Sequence, residues 1–193
     1  MALANYADLQ TSVASWLHRG NLTAMIPDFI TLAEAKINRE VRIRAMEQVA
    51  TGTVSASVAL PTGFVEMIAL TVSTGNKTWP LTYVPPAEFN TESSAPYRYS
   101  IVGDNLLFAT VGTGYTYSLT YYEKFDALST GVNWLITNAP DVYLYATLLE
   151  AAPYIKDDPR IATWAQLLLD SVERLARADK KDRFGSNLVV RAA

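Results

Sequence analysis

One histidine, His18, and no cysteine occur among the 193 residues. Thiol nucleophiles, thiolate metal sites and disulfides are therefore excluded, and so is a metal site built from several histidines of one chain. His18 follows an apolar helical stretch and reads as a helix C-terminal cap rather than a catalytic base. Glu150, Asp157 and Asp158 are the carboxylates nearest to an oxygen-ligand set for a divalent ion. The helix-start reading is stronger, because an Asp just before Pro159 sits where a side-chain oxygen caps free amides, and calcium loops carry denser acidic spacing. Paired carboxylates of the glycoside-hydrolase kind remain open on spacing alone and stand behind the other readings. Gly112-Thr-Gly114 lies between two strand-like runs and lacks the third glycine and following helix of a dinucleotide site, so it reads as a turn.

Two surface chemistries are left. Tyr97, Tyr99, Tyr115, Tyr117, Tyr121 and Tyr122 can stack bases, but only Arg98 and Lys124 lie close by to meet phosphates. Packing or a protein interface is the better reading. Two basic clusters, Lys36, Arg39, Arg42 and Arg44, then Arg174, Arg177, Lys180, Lys181 and Arg183, are spread around helices and interrupted by acids. A groove-reading helix gathers its contacts on one face, so these read as solvated faces or salt bridges to a neighbouring subunit.

The elements that carry these residues follow from periodicity. Asn5 caps a short helix with Leu9, Val13, Trp16 and Leu17 on one face and Asp8 near its positive end. His18-Arg-Gly20-Asn21 breaks it. Pro27 opens a second helix, read as running from Ile26 to Met46, with a narrow stripe of Ile26, Ile30, Ala33, Ile37 and Val41; Glu34, Lys36, Arg39, Glu40, Arg42 and Arg44 occupy the other faces, with Glu40 and Arg44 as an i,i+4 pair. From Gln48 the period is two. Val54, Ala56, Val58 and Leu60 alternate as a half-buried strand, Pro61-Thr-Gly63 turns, and Phe64–Val72, Lys77–Val84, Tyr97–Val102, Leu106–Val111 and Tyr115–Glu123 complete about six strands of an antiparallel meander or small sandwich. Pro85 to Asn90 reads as a short helical turn. Helices return after Phe125: Asn138 caps one with Pro140 in its first turn and Val142, Tyr145, Leu148, Leu149 and Ala152 as its face. The last starts near Asp157 or Asp158 and carries Ile161, Trp164, Leu168, Val172 and Leu175.

Half of the residues are hydrophobic and the net charge is −3, so a core is affordable and general attraction to polyphosphate is not expected. The N-terminus lacks the basic and apolar regions of a secretory leader, and no apolar run is long enough to span a membrane; synthesis and folding in a cytosol are expected. Each helical half is too small to bury its face alone. The expected fold is therefore α+β: residues 1–47 and 124–193 form a helical bundle domain with a C-terminal docking tail, and residues 48–123 form an inserted antiparallel sheet or small sandwich.

Ile26-Pro-Asp-Phe-Ile-Thr-Leu-Ala-Glu-Ala-Lys-Ile-Asn-Arg-Glu-Val-Arg42, Leu60-Pro-Thr-Gly-Phe64-Val-Glu-Met67 and the helices from Asn138 to Ala152 and Ile161 to Arg183 resemble the head-to-tail adaptors of short-tailed bacteriophages, the connector or gatekeeper family that includes tail tubular proteins. The resemblance implies a head-completion protein without enzymatic activity or cofactor. It implies a ring, twelve-fold, between portal protein and tail nozzle protein, in the virion, with double-stranded DNA passing through the lumen without specific recognition and no membrane contact. On this basis Arg183, Phe184, Leu188, Val189, Val190 and Arg191 are expected at the portal. Lys36, Arg39, Glu40, Arg42, Arg44, Tyr97, Tyr99, Tyr115, Tyr117 and Tyr121 are expected at subunit or tail contacts. The rival reading is a small carbohydrate- or nucleic-acid-binding module that uses the aromatic β face.

Overall fold

The computed structural model describes residues 3–90, 97–109, 114–155 and 158–184. Two compact units result, one from Met1–Ala45 with Phe125–Ala193 and one from Met46–Lys124. The class is α+β.

In the helical unit, α1 (Tyr6–Leu17) starts where the Asp8 N–H donates to the Asn5 side chain at 3.0 Å. It ends at His18, which takes the left-handed conformation (φ 51°) and donates its backbone N–H to Ala14 O. His18 thus caps through its backbone while its side chain is exposed. Leu9, Val13 and Leu17 are buried, whereas Trp16 turns outward and meets Tyr145 edge-on. A 3₁₀ turn, Gly20–Met25, leads into α2 (Ile26–Glu40), with Pro27 in the first turn. The helix expected to reach Met46 stops at Glu40. Val41 is extended (φ −91°, ψ 133°), and Val41 and Ile43 bury β-branched side chains. The Arg42 guanidinium donates to Asn38 O and Val41 O at 2.9 and 2.7 Å, satisfying carbonyls that the helix leaves free. Arg44 therefore leaves the expected Glu40 pairing geometry and turns to Asp182, with its backbone N–H on Asp179.

After the β unit, α3 (Trp134–Asn138) is capped by Asn133, which accepts from Ile136 N–H at 3.1 Å. In α4 (Pro140–Glu150), Ala139 rather than Asn138 holds the N-cap position, and Pro140 occupies the first turn as expected. The single face predicted for α4 is too narrow. Val142, Tyr143, Leu144, Ala146, Thr147 and Leu148 are all buried, because α1, α2, α3 and α6 each pack on this helix and leave it little polar surface. α5 (Ala152–Ile155) is one turn, and α6 (Arg160–Phe184) is the longest helix, anchored by a buried Trp164.

The β unit holds β1 (Glu47–Thr53), β2 (Ser57–Ala59), β3 (Phe64–Thr74), β4 (Lys77–Pro80), β5 (Thr82–Tyr83), β6 (Arg98–Val102), β7 (Asn105–Phe108) and β8 (Thr116–Glu123). They form two four-stranded sheets, ordered β1-β8-β3-β4 and β2-β7-β6-β5. Three expectations change. The alternation from Val54 to Leu60 is not one strand: Val54 N–H still bonds Tyr115 O in the first sheet, while Ala56 O accepts from Phe108 N–H in the second. Lys77–Val84 divides in the same way after Pro80: Leu81 N–H still bonds Leu70 O in the first sheet, while Thr82 N–H bonds Tyr97 O in the second. Finally, β5 and β6 run parallel, so the second sheet is mixed rather than antiparallel. The Pro85–Asn90 stretch is a turn, with Glu88 N–H on Pro85 O at 2.9 Å.

Between the sheets lie Val54, Leu70, Val72, Leu106, Phe108, Leu119 and Tyr121, with Tyr99, Tyr115 and Tyr117 packed against them. Tyr99, Tyr115, Tyr117 and Tyr121 therefore serve this core. Gly52 shows why: a Cβ there would lie 2.8 Å from the Tyr117 ring, which covers the glycine from the facing strand.

Candidate assembly interface

A concavity of about 670 Å³ in the helical unit lies where the end of α2 and the stretch after it meet α4 and α6. Its apolar wall comes from Ile37, Val41, Ile43, Leu149, Leu168, Val172 and Leu175, and its rim from Lys36, Glu40, Arg42 and Glu150. The sequence builds it locally. The chain leaves helical geometry at Val41, so the last turn of α2 is followed by an extended stretch, and the Lys36–Glu150 ion pair ties α2 to α4. An apolar wall with a charged rim is the make-up of a surface that can accept apolar side chains and orient them by charge.

A second cluster lies beside it. Arg44 backbone N–H donates to Asp179 Oδ1 at 2.8 Å, and Arg183 Nε donates to Asp179 Oδ2 at 2.8 Å. Burial works against the Asp179 carboxylate, but these bonds and the two guanidinium charges outweigh it and hold the group below the ordinary value. The Arg44–Asp182 pair, 3.4 Å between well-exposed groups, contributes about 0–1 kcal/mol and orients rather than stabilises.

Of the residues expected at subunit or tail contacts, Lys36, Glu40 and Arg42 meet at the groove, Arg39 is exposed on the last turn of α2, and Arg44 belongs to the Asp179 cluster. Tyr99, Tyr115, Tyr117 and Tyr121 are in the β unit's core region, and Tyr97 packs on Trp79 with ring centroids 5.4 Å apart. At the expected portal segment, Arg183 bonds Asp179 and Phe184 ends α6; Leu188, Val189, Val190 and Arg191 lie outside the described residues, as do Gly112 and Asp157. The proposed ion ligands are otherwise engaged. Glu150 pairs with Lys36, and Asp158 accepts from the Arg160 backbone N–H at 3.0 Å and from its guanidinium at 2.6 Å. Those Arg160 bonds hold the Asp158 carboxyl at about 2. Among the described residues, no three His, Asp or Glu side chains gather as a metal site.

The sequence reading missed a buried polar cluster in the helical unit. Glu34, placed on the solvated face of α2, is buried and accepts from Leu128 N–H at 2.8 Å and Tyr143 O–H at 3.0 Å. Asn133 Nδ2 donates to Tyr143 Oη at 2.7 Å and to Asp126 O at 2.8 Å. Burial pushes the Tyr143 phenol far above the ordinary tyrosine range, opposed by the Asn133 bond and reinforced by Glu34. The signal was present: Glu34 is four residues after Ile30 and three before Ile37, inside the apolar stripe.

The sequence model described as SU10 adaptor protein matches residues 4–191. No curated protein matches the chain. Among the described residues, no helix is long and apolar enough to cross a membrane.

Proposed function

The chain belongs to the SU10 adaptor protein family of phage adaptors, and from that premise we propose that it is a non-enzymatic head-completion protein, assembled as a twelve-fold ring between portal and tail nozzle. In this reading the protein is made in the host cytoplasm and resides at the head-to-tail junction of the virion. Double-stranded DNA passes through the ring without sequence recognition, in keeping with a net charge of −3.

The observation that carries the reading is the family match over nearly the whole chain together with the groove of α2, α4 and α6. A cyclic ring needs two different complementary patches on each subunit. The groove supplies a receiving patch, with Lys36, Glu40 and Arg42 at its rim and Arg39 and Arg44 flanking it. Residues 183–191 are the portal contact, with Arg183 and Arg191 for an acidic surface and Phe184, Leu188, Val189 and Val190 for an apolar one. The helical bundle carries the portal and ring contacts, and the β unit carries the tail contact. The rival aromatic ligand-binding reading loses support because Tyr99, Tyr115, Tyr117 and Tyr121 pack on the β core.

The test mixes purified chain with purified portal and measures the mass of the complex. A ring of adaptor copies on the portal is expected. Val172→Glu, which puts a charge into the half-buried groove wall, and removal of residues 185–193 should each reduce ring formation while leaving the melting temperature of the free chain nearly unchanged. Normal ring formation by both variants would overturn the assignment of these surfaces, and failure of the intact chain to bind portal would overturn the adaptor reading.

A further inference from the structure

Among the described residues four strands lie at sheet edges, and three carry a device against pairing with another chain. β2 and β5 are three and two residues long. β4 begins with Lys77 and ends with Pro80. Leu81 N–H donates to Leu70 O at 3.0 Å, so by alternation the Pro80 nitrogen faces away from β3, where its missing N–H removes a donor from the free edge.

The fourth edge, β1, has no such device. It is seven residues long, Glu-Gln-Val-Ala-Thr-Gly-Thr, with no proline and no basic residue, and Val49 is 62% exposed. Val54 N–H donates to Tyr115 O at 3.0 Å, and the register continues through Gly52↔Tyr117 and Ala50↔Leu119. The backbone groups of Gly52, Ala50 and Gln48 therefore face β8, while those of Val49, Thr51 and Thr53 face outward. Among the described residues no strand pairs with that side.

We propose that β1 is a docking edge for a second copy of this chain, which adds its own β1 antiparallel and joins two four-stranded sheets into one. The strand is complementary to itself. Centred on Ala50, the pairing sets Val49 opposite the partner's Thr51, two β-branched side chains that suit a cross-strand pair. Glu47 falls opposite the partner's Thr53, so like charges are not opposed, and Gln48 falls opposite the partner's Gly52, over which the Tyr117 ring lies. Val49 and Thr51 are outward-facing residues on both copies, so each exchanges backbone hydrogen bonds with its counterpart. Such a two-fold contact differs in kind from the head-to-tail contacts of a cyclic ring. It belongs to the free chain before assembly, goes beyond the adaptor reading and does not rest on it.

Sedimentation equilibrium of the full chain over a wide concentration range tests this, with Val49→Lys and Thr51→Pro as variants and circular dichroism as the check on folding. The intact chain should rise from one chain mass toward two, with concentration-dependent exchange protection at the Val49 and Thr51 amides, and both variants should stay at one. The Val49 side chain is on the solvent face, so Val49→Lys decides the matter even where the proline variant fails to fold. An intact chain that stays at one mass at every concentration overturns the proposal, as does a Val49→Lys variant that pairs like the intact chain. Protection of these amides only when portal is added assigns the edge to another protein and also overturns it. Portal capture is a separate assay, so failure here leaves the adaptor reading untouched.

Discussion

Replacing Glu34 by leucine removes the acceptor shared by Leu128 N–H and Tyr143 O–H, both inside the helical unit. A buried donor left without a partner costs about 1–3 kcal/mol, so two of them cost roughly 2–6 kcal/mol. Two effects reduce this: leucine adds apolar surface to a site among Ile30, Ala33 and Ile37, and the leucine spares the cost of burying a carboxyl group. The donors remain whatever replaces the acceptor, so loss should dominate, at about 2–4 kcal/mol. For a chain of this length that is a fall of roughly 4–16 °C in melting temperature. Glu34→Gln keeps an amide oxygen in place and should lose about half as much, on the order of 1–2 kcal/mol. Tyr143→Phe removes one donor but takes an acceptor from Asn133 Nδ2, which keeps Asp126 O. Urea unfolding followed by far-ultraviolet circular dichroism measures all three, and the Glu34→Leu, Tyr143→Phe double variant gives the coupling between the two side chains. A Glu34→Leu variant as stable as the parent, or coupling near zero, would refute the claim that this network holds α2 to the segment after the β unit.

The Asp158 carboxyl is held at about 2, against an ordinary 3.8, by the Arg160 side chain and backbone N–H. A folded value below the unfolded one means that the contribution is complete above the unfolded value and is lost as pH falls toward 2. Asp158→Asn should therefore lower the melting temperature at neutral pH and give a flatter decline on acidification, and a decline parallel to that of the parent would count against the pair. Ser100 Oγ is buried without a hydrogen-bond partner. Ser100→Ala should leave stability unchanged or raise it by up to about 1 kcal/mol, read from the urea midpoint, because an unmet hydroxyl contributes only desolvation cost; a clear loss would show that the hydroxyl has a partner in solution.

How far the sequence spoke for the structure depended on whether a signal was local. Asn5, Pro27, Pro140 and the Asp158-Pro159 start act through backbone groups a few residues away, and their positions were readable. The end of α2 was not, because Val41 continues the helical stripe four residues after Ile37, and what stops the helix is tertiary burial of Val41 and Ile43 with Arg42 on the freed carbonyls. The passage of the chain from one sheet to the other at Ser55 was hidden for a similar reason: a period of two persists when consecutive residues face the same core from different sheets. The groove was half legible. Lys36, Glu40 and Arg42 were singled out by charge, but their apolar counterparts on α6 were read only as core.

The β unit enters and leaves through neighbouring strands, since Glu47 at the start of β1 is paired with Tyr122 near the end of β8. For the helical unit this turns an excursion of about 80 residues into the equivalent of a tight turn, provided the β unit folds first. Held open instead, a loop of that length would cost about 2–3 kcal/mol more to close than one of four residues. Order of events thus acquires a thermodynamic value. A lesion that melts the β1–β8 pairing weakens the helical unit as well, through the chain entropy returned at its base, and a helical unit supplied with a short linker in place of residues 46–124 would recover that difference.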